Sequence, residues 1–424
     1  MRKLLWLGCV LALVATGCSL DLDRLRGTPD AGDEMDSGIA DASMPIDAPM
    51  QREDAGLDAS TDASTDDAGS DGGVRCTATC AASATFGAPR DVSLASAPVD
   101  VELGDITGDG FLDVVVLTMD GSVLVLSAEP DGAGCGSRAL RATDTVASTS
   151  GAADLALGDA DDDGRLDAAV VGTGGALALH TTDAAGKLGA AQTLDFEGNA
   201  FGVTFSGRRI HVAGGGTSGA VRAFELAGGA LVELESASAP PLVEIASMTL
   251  ADGTPGLASS SLIGAAVLVD RVQEAGAPTR VATVPVSAGS HIASGDLDGD
   301  GDDDLAMNAI GTSRVTMILA DGDTFTLAPR ADASGVVDAL AIGALDDDEQ
   351  VDVAVIVGTA VYPYVLGDPR VPGGALIGRP GVALDGEGRD VVIGDLDGDA
   401  LPDLVVIGEA SGGHEVRVVP GACP

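Results

Sequence analysis

One nine-residue pattern recurs along the chain and constrains it more than any other feature. It reads Asp105-Ile-Thr107-Gly-Asp109-Gly110-Phe111-Leu-Asp113, then Asp159-Ala-Asp161-Asp-Asp163-Gly164-Arg165-Leu-Asp167. It returns as Asp296-Leu-Asp298-Gly-Asp300-Gly301-Asp302-Asp-Asp304 and as Asp395-Leu-Asp397-Gly-Asp399-Ala400-Leu401-Pro-Asp403. Side-chain oxygens at positions 1, 3, 5 and 9 can converge on one hard cation, and glycine at position 6 permits a sharp bend. The carbonyl of position 7 (Phe111, Arg165, Asp302 or Leu401) adds a further oxygen. Without a cation the carboxylates would repel one another across a few ångströms. The expectation is about four Ca²⁺ sites whose ions brace the turns. Thr107 offers a hydroxyl where the other copies have a carboxylate, and Ala400 stands where the others have glycine. A damaged copy, Ala344-Leu-Asp346-Asp-Asp348-Glu349-Gln-Val-Asp352, lacks the first carboxylate and the glycine, so weak or no binding is expected at Asp346, Asp348 and Asp352.

The spacing of these loops predicts the fold. First positions fall at 105, 159, 296, 344 and 395, and the long gap has room for two more copies. Gly202-Val-Thr-Phe205-Ser206 followed by Arg209-Ile-His-Val-Ala213 keeps the flanking apolar runs with the acidic loop cut away. Met248-Thr-Leu250-Ala251 followed by Gly256-Leu-Ala258 does the same. The result is seven repeats about 48 residues apart, a repeat architecture. Each repeat has a short apolar strand, the loop, a β-branched strand, a glycine-rich turn, a third strand and a weaker outer segment. This pattern reads as all-β, with four antiparallel strands per unit. Seven such units make a seven-bladed β-propeller. Too few residues follow Asp395 for a fourth strand, while Phe86-Gly-Ala-Pro89-Arg90 resembles Phe325-Thr-Leu-Ala-Pro329-Arg330 of a complete repeat. The segment around 84–94 is therefore expected to supply the last blade's outer strand and close the ring.

The N-terminus carries Arg2 and Lys3, an apolar stretch from Leu4 to Val14, then Ala15-Thr16-Gly17-Cys18. A charged start, an apolar run too short to span a bilayer and small residues before Cys18 describe an export signal over residues 1–17. Residues 18–75 are mostly Asp, Ala, Ser, Thr, Gly and Pro, without the large apolar side chains needed to offset the entropy of ordering; they read as an acidic, disordered tether. The repeat domain then occupies 76–424. The formal net charge is −44, and Lys187 is the only lysine beyond the signal. Nucleic acid is excluded as a partner, because its phosphates would be repelled.

The pattern Gly-Asp-x-(Asp/Thr)-Gly-Asp-Gly-x-x-Asp followed by three apolar residues resembles the FG-GAP/VCBS repeat of integrin α-subunit propellers and many bacterial surface proteins. The resemblance covers residues 84–424. It implies calcium in the loop between the inner two strands on one face of the disc, and a binding or adhesion role for an unknown protein or glycan ligand. Ala-Thr-Gly-Cys18 resembles a bacterial lipoprotein signal, which implies cleavage before Cys18, lipid attachment there and anchoring to a membrane. With Ser19 rather than Asp after the cysteine, the analogy points to the outer membrane.

Cys76, Cys80, Cys135 and Cys423 form an even set in an exported chain, consistent with two disulfides. Cys80–Cys423 with Cys76–Cys135 would staple the ring closed; Cys76–Cys80 with Cys135–Cys423 is an alternative. No catalytic constellation is legible. His180, His211, His291 and His414 fall in different repeats. Gly172–Gly175 and Gly214–Gly219 lack the lysine and following helix of a phosphate loop. The reading is therefore a non-enzymatic binding module, with a channel-centred propeller enzyme and a ligandless spacer as the alternatives.

Overall fold

The computed structural model describes residues 84–130, 138–215, 219–261, 263–329, 331–346, 350–367, 369 and 376–422. Among them there is no helix. The strands form seven antiparallel sheets, each one blade of a β-propeller. Blade one is built, from the inside out, of Pro98–Gly104, Asp113–Thr118, Ser122–Pro130 and Arg138–Ala147. Blades two to six open with Ala152–Gly158, Ala200–Ser206, Leu242–Thr249, Ile292–Gly295 and Ala339–Gly343. Blades five and six each carry one extra short strand, Ala331–Asp332 and Val382–Ala383, paired to the third strand.

Blade seven contains Gly388–Gly394, Asp403–Ala410 and Gly413–Val419, and its fourth strand is Arg90–Leu94. The donated strand runs antiparallel to Gly413–Val419, with Arg90 opposite Val418 and Leu94 opposite His414. Closure by the N-terminal strand is thus as the repeat count required. Arg417 fastens it by donating from Nε and Nη2 to Asp91, at 2.6 and 2.9 Å. A sheet edge that would template pairing with another chain is covered.

First strands of successive blades touch in an unbroken cycle, blade seven against blade one included. The core is correspondingly divided into seven apolar clusters, one per seam. Val101, Val114 and Val116 of blade one pack on Val405, Ile407 and Val416 of blade seven, for example, while Val115, Leu117 and Val123 pack on Leu155, Ala168 and Val170 of blade two. Second strands such as Asp113–Thr118 and Asp167–Gly172 are buried along their whole length, because blades cover both of their faces. This accounts for their continuous runs of Val, Leu and Ala. Each fully buried Val, Leu or Ile contributes roughly 1.5–3 kcal/mol. Outer strands such as Ala230–Ala239 alternate exposed and half-buried residues.

The glycine that ends most first strands has a packing role. A Cβ on Gly104 would come 2.6 Å from Leu166 Cδ1 and 2.9 Å from Leu157 Cδ1 of blade two; on Gly158 it would overlap the Phe205 ring of blade three. Gly295 and Gly343 meet Ile342 and Ile393 of the next blade in the same way. Glycine at this point lets each blade seat a side chain of its neighbour beside the loop.

Candidate metal centres

All four acidic loops share one hydrogen-bonding scheme. In blade one, Asp105 Oδ1 accepts the N–H groups of Gly108 (2.7 Å) and Asp109 (3.0 Å), and Oδ2 accepts that of Gly110 (2.8 Å). Asp159, Asp296 and Asp395 do the same in blades two, five and seven. The position-5 carboxylates Asp109, Asp163, Asp300 and Asp399 each accept the N–H of position 7, from Phe111, Arg165, Asp302 and Leu401, at 2.8–3.1 Å. Such turns need left-handed backbone twice: at position 4 (Gly108, Asp162, Gly299, Gly398) and at position 6 (Gly110, Gly164, Gly301, Ala400). Asp tolerates that region better than most residues, whereas Ala400, at φ 68°, is strained.

The ninth carboxylate has a second duty. Asp167 Oδ2 accepts the N–H of Ala160 and its Oδ1 that of Thr182, tying the loop to the segment beyond the third strand. Asp304 joins Leu297 to Ala320, and Asp403 joins Leu396 to Gly421. Asp113 accepts from Ile106 and Thr107. In blade six Asp352 keeps this scheme, holding Leu345 and Leu366 at 2.8 Å each. The position thus works as a backbone clamp even where the rest of the acidic pattern has decayed.

Three loops gather carboxylate oxygens within 4.8 Å of one another: Asp159, Asp161 and Asp167; Asp296, Asp298 and Asp300; Asp395, Asp397 and Asp399. Asp105, Asp109 and Asp113 keep the loop scheme around Thr107 without such a cluster. The position-7 side chains each make a different contact. Phe111 lies against Gly398 of the blade-seven loop, Arg165 pairs with Asp163, Asp302 accepts from Gly322, and Leu401 is buried. Asp346 is half-buried. Asp348, Cys18, Cys76, Cys80, Cys135 and Cys423 lie outside the described residues.

Burial, followed by neighbouring charges, sets the electrostatics of these loops. Burial pushes Asp304 and Asp403 up to about 7, against the backbone hydrogen bonds they accept and with help from adjacent carboxylates. Asp167 and Asp397 rise to about 6 for the same first reason, and Asp113 and Asp399 are also raised. At Asp159 burial pulls upward too, but the N–H groups of Gly164, Asp163 and Asp162 outweigh it and lower the group. Asp397 is 7% exposed, and its Oδ1 has no hydrogen-bond partner. A crowd of partly buried carboxylates with an orphaned oxygen fits a hard divalent cation.

The histidines fall on four blades: His180 in blade two, His211 in three, His291 at the start of five and His414 in seven. His211 is buried with both ring nitrogens unpaired, and burial together with the Arg209 charge lowers it to about 4. Gly172 and Gly175 close a strand-to-strand turn, Gly175 N–H bonding Gly172 O at 3.0 Å. Where blades three and four have lost their acidic loops, a groove of about 640 Å³ opens, lined by Arg208, Arg209, Glu225 and Gln273 among others. Nothing in the loop pattern pointed to that groove; the truncation itself was the available signal.

No protein-family model and no curated protein matches the chain in sequence. Solved structures do match in fold. The β-propeller domain of Cps50 (Swd1) from Myceliophteria thermophila is 10% identical with a TM-score of 0.54, over 78% of this chain and 98% of that one. Saccharomyces cerevisiae Sqt1 is 10% identical with a TM-score of 0.51, over 77% and 86%. The WD40 β-propeller domain of Doa1 is 14% identical with a TM-score of 0.51, over 79% and 96%. At these identities the likeness concerns the β-propeller fold alone.

Proposed function

We propose that this chain is a calcium-braced propeller of the FG-GAP/VCBS kind that serves as a non-catalytic binding module, lipid-anchored through Cys18 at a bacterial envelope. One observation carries the metal assignment: in blades two, five and seven, three loop carboxylates lie within 4.8 Å of one another on turns already folded around a first-position aspartate. Asp159, Asp161, Asp163 and Asp167 would hold the ion in blade two, and Asp296, Asp298, Asp300 and Asp304 in blade five. Asp395, Asp397, Asp399 and Asp403 would do so in blade seven, and Asp105, Thr107, Asp109 and Asp113 in blade one. Bound Ca²⁺ supplies positive charge at the point of greatest like-charge repulsion.

A binding rather than catalytic role is supported by the histidines, which fall on four separate blades, and by the absence of a nucleophile motif. The groove between blades three and four offers a partner a concave surface with both charge signs. The ligand class remains a protein or glycan. Titration calorimetry of metal-stripped protein tests the metal assignment: about four calcium ions per chain are expected, with affinities of about 10⁻⁴ to 10⁻³ M. Absence of calcium heat and of any bound ion by equilibrium dialysis would overturn it. Capture from envelope extracts, with and without Ca²⁺ and with Arg208→Glu as the control for the groove, tests the binding role.

A further inference from the structure

Aligning the first strands on their pairing partners places Asp100, Asp154, Gly202, Glu244, Ala339 and Asp390 at one level of the inner rim, and continuing the blade-five register one residue ahead of Ile292 adds His291 as the seventh. Four of the seven are carboxylates. A β-bulge immediately precedes Asp100, Asp154, Gly202, Glu244 and Asp390, and bulges re-aim side chains.

These carboxylates bridge blades. Buried Asp100 accepts its own strand's Val101 N–H on Oδ1 (2.9 Å) and, on Oδ2, the N–H of Leu155 in blade two at 2.7 Å. Half-buried Asp154 accepts the N–H of Val203 in blade three, also at 2.7 Å. Asp100 thus bonds the residue that directly follows Asp154, which sets the two carboxyls side by side on neighbouring first strands. A carboxyl pair therefore links three consecutive blades. Neighbouring carboxylates at a blade seam repel when both are ionised, and protonating one of them removes that repulsion.

We propose that the Asp100–Asp154 pair, with Glu102, Glu244 and Asp390 around it, is an acid-closed clasp: proton uptake from solvent ties blades one, two and three more tightly. The charged groups acting on Asp154 are Glu244, Asp100 and Glu102, and those acting on Glu102 are Asp100 and Asp390, all of them acidic. Of the other charged groups on these strands, His291 bonds Ser290 Oγ through Nδ1 at 3.2 Å, and Arg389 pairs with Glu409. Burial first, then Glu244 and Glu102, holds Asp154 well above the usual carboxylate range against the lowering effect of Asp100 and the Val203 N–H; burial first, then Asp100 and Asp390, does the same for Glu102. The native chain thus binds more protons here than the unfolded chain, so the clasp gains stability as pH falls and loses it as pH rises.

Thermal unfolding of the full chain in saturating calcium, at pH 8 and pH 5, tests this clasp. Asp154→Asn keeps an acceptor for Val203 and removes the ionisation; Glu102→Gln removes a repelling charge without touching the bridging hydrogen bonds. Both variants are expected to raise the midpoint at pH 8 by about 2–4 °C and to flatten the wild-type rise between pH 8 and pH 5. If Asp154→Asn is compromised in folding, Glu102→Gln decides alone. Variant profiles running parallel to wild type would overturn the clasp. Because the readout is a difference between variants, it stands whether or not the loops bind calcium.

Discussion

Gly394 of the last blade lies directly against Leu103 of the first: a Cβ on the glycine would come 2.7 Å from Leu103 Cδ1 and 2.8 Å from Leu112 Cδ1. The contact is where the ring meets itself, and it repeats the glycine-to-side-chain fit of the other seams. Gly394→Ala is expected to cost about 1–3 kcal/mol through overpacking. Gly412→Ala, at a site with nothing within 4 Å, should stay within about 0.5 kcal/mol of wild type. Urea midpoints of the two variants check the contrast.

Arg417 is the second fastening of the ring. Its side chain is only 9% exposed, and it holds Asp91 on the donated strand and Glu415 on its own. Arg417→Met keeps much of the packing and leaves two acids facing each other. A loss of about 1–3 kcal/mol is expected, since removing one partner strands the others. Limited proteolysis should then cut first near residues 84–94.

Ala400 is the one non-glycine at the sixth loop position of the four acidic loops, and its φ of 68° carries strain of about 1–2 kcal/mol. Glycine there relieves the strain but adds about 0.5–1 kcal/mol of unfolded-state entropy. Ala400→Gly should therefore stabilise by up to about 1 kcal/mol, read by chemical denaturation.

If calcium binds these loops as proposed, its stabilising effect should depend on pH. Asp304 and Asp403 sit at about 7, and Asp167 and Asp397 at about 6, against an ordinary 3.8. A metal-free native chain binds more protons than the unfolded chain between those values, so its stability falls as pH rises from about 4 through 7. Calcium bound at these loops would compete with those protons. The midpoint difference between calcium and chelator should be larger at pH 8 than at pH 5; an equal difference at both would count against the assignment.

Much of this fold was legible because the loop is both a chemical signature and a ruler. Blades three and four could be placed by the interval together with their surviving flanking apolar runs, and Phe86-Gly-Ala-Pro89 anticipated the donated strand. Other features were hidden for physical reasons. The clamp role of Asp113 and Asp167 depends on N–H groups brought close only by folding. The inner-rim carboxylates left a trace, an acid five residues ahead of the first loop position at Asp100, Asp154 and Asp390. The hydrogen bonds of Asp100 and Asp154 to the next blade, however, arise between repeats rather than within one. The glycine preceding each loop belonged to the recognised pattern, yet its reason, a neighbour's Leu, Ile or Phe, lies one blade away.

The most direct test of the central claim, that calcium braces a closed seven-bladed ring, is the thermal midpoint of the chain in chelator and in calcium. At a tenfold excess over Kd each site contributes about 1.4 kcal/mol, so four sites should raise the midpoint by about 5–10 °C. A midpoint that does not move between chelator and calcium would contradict the account.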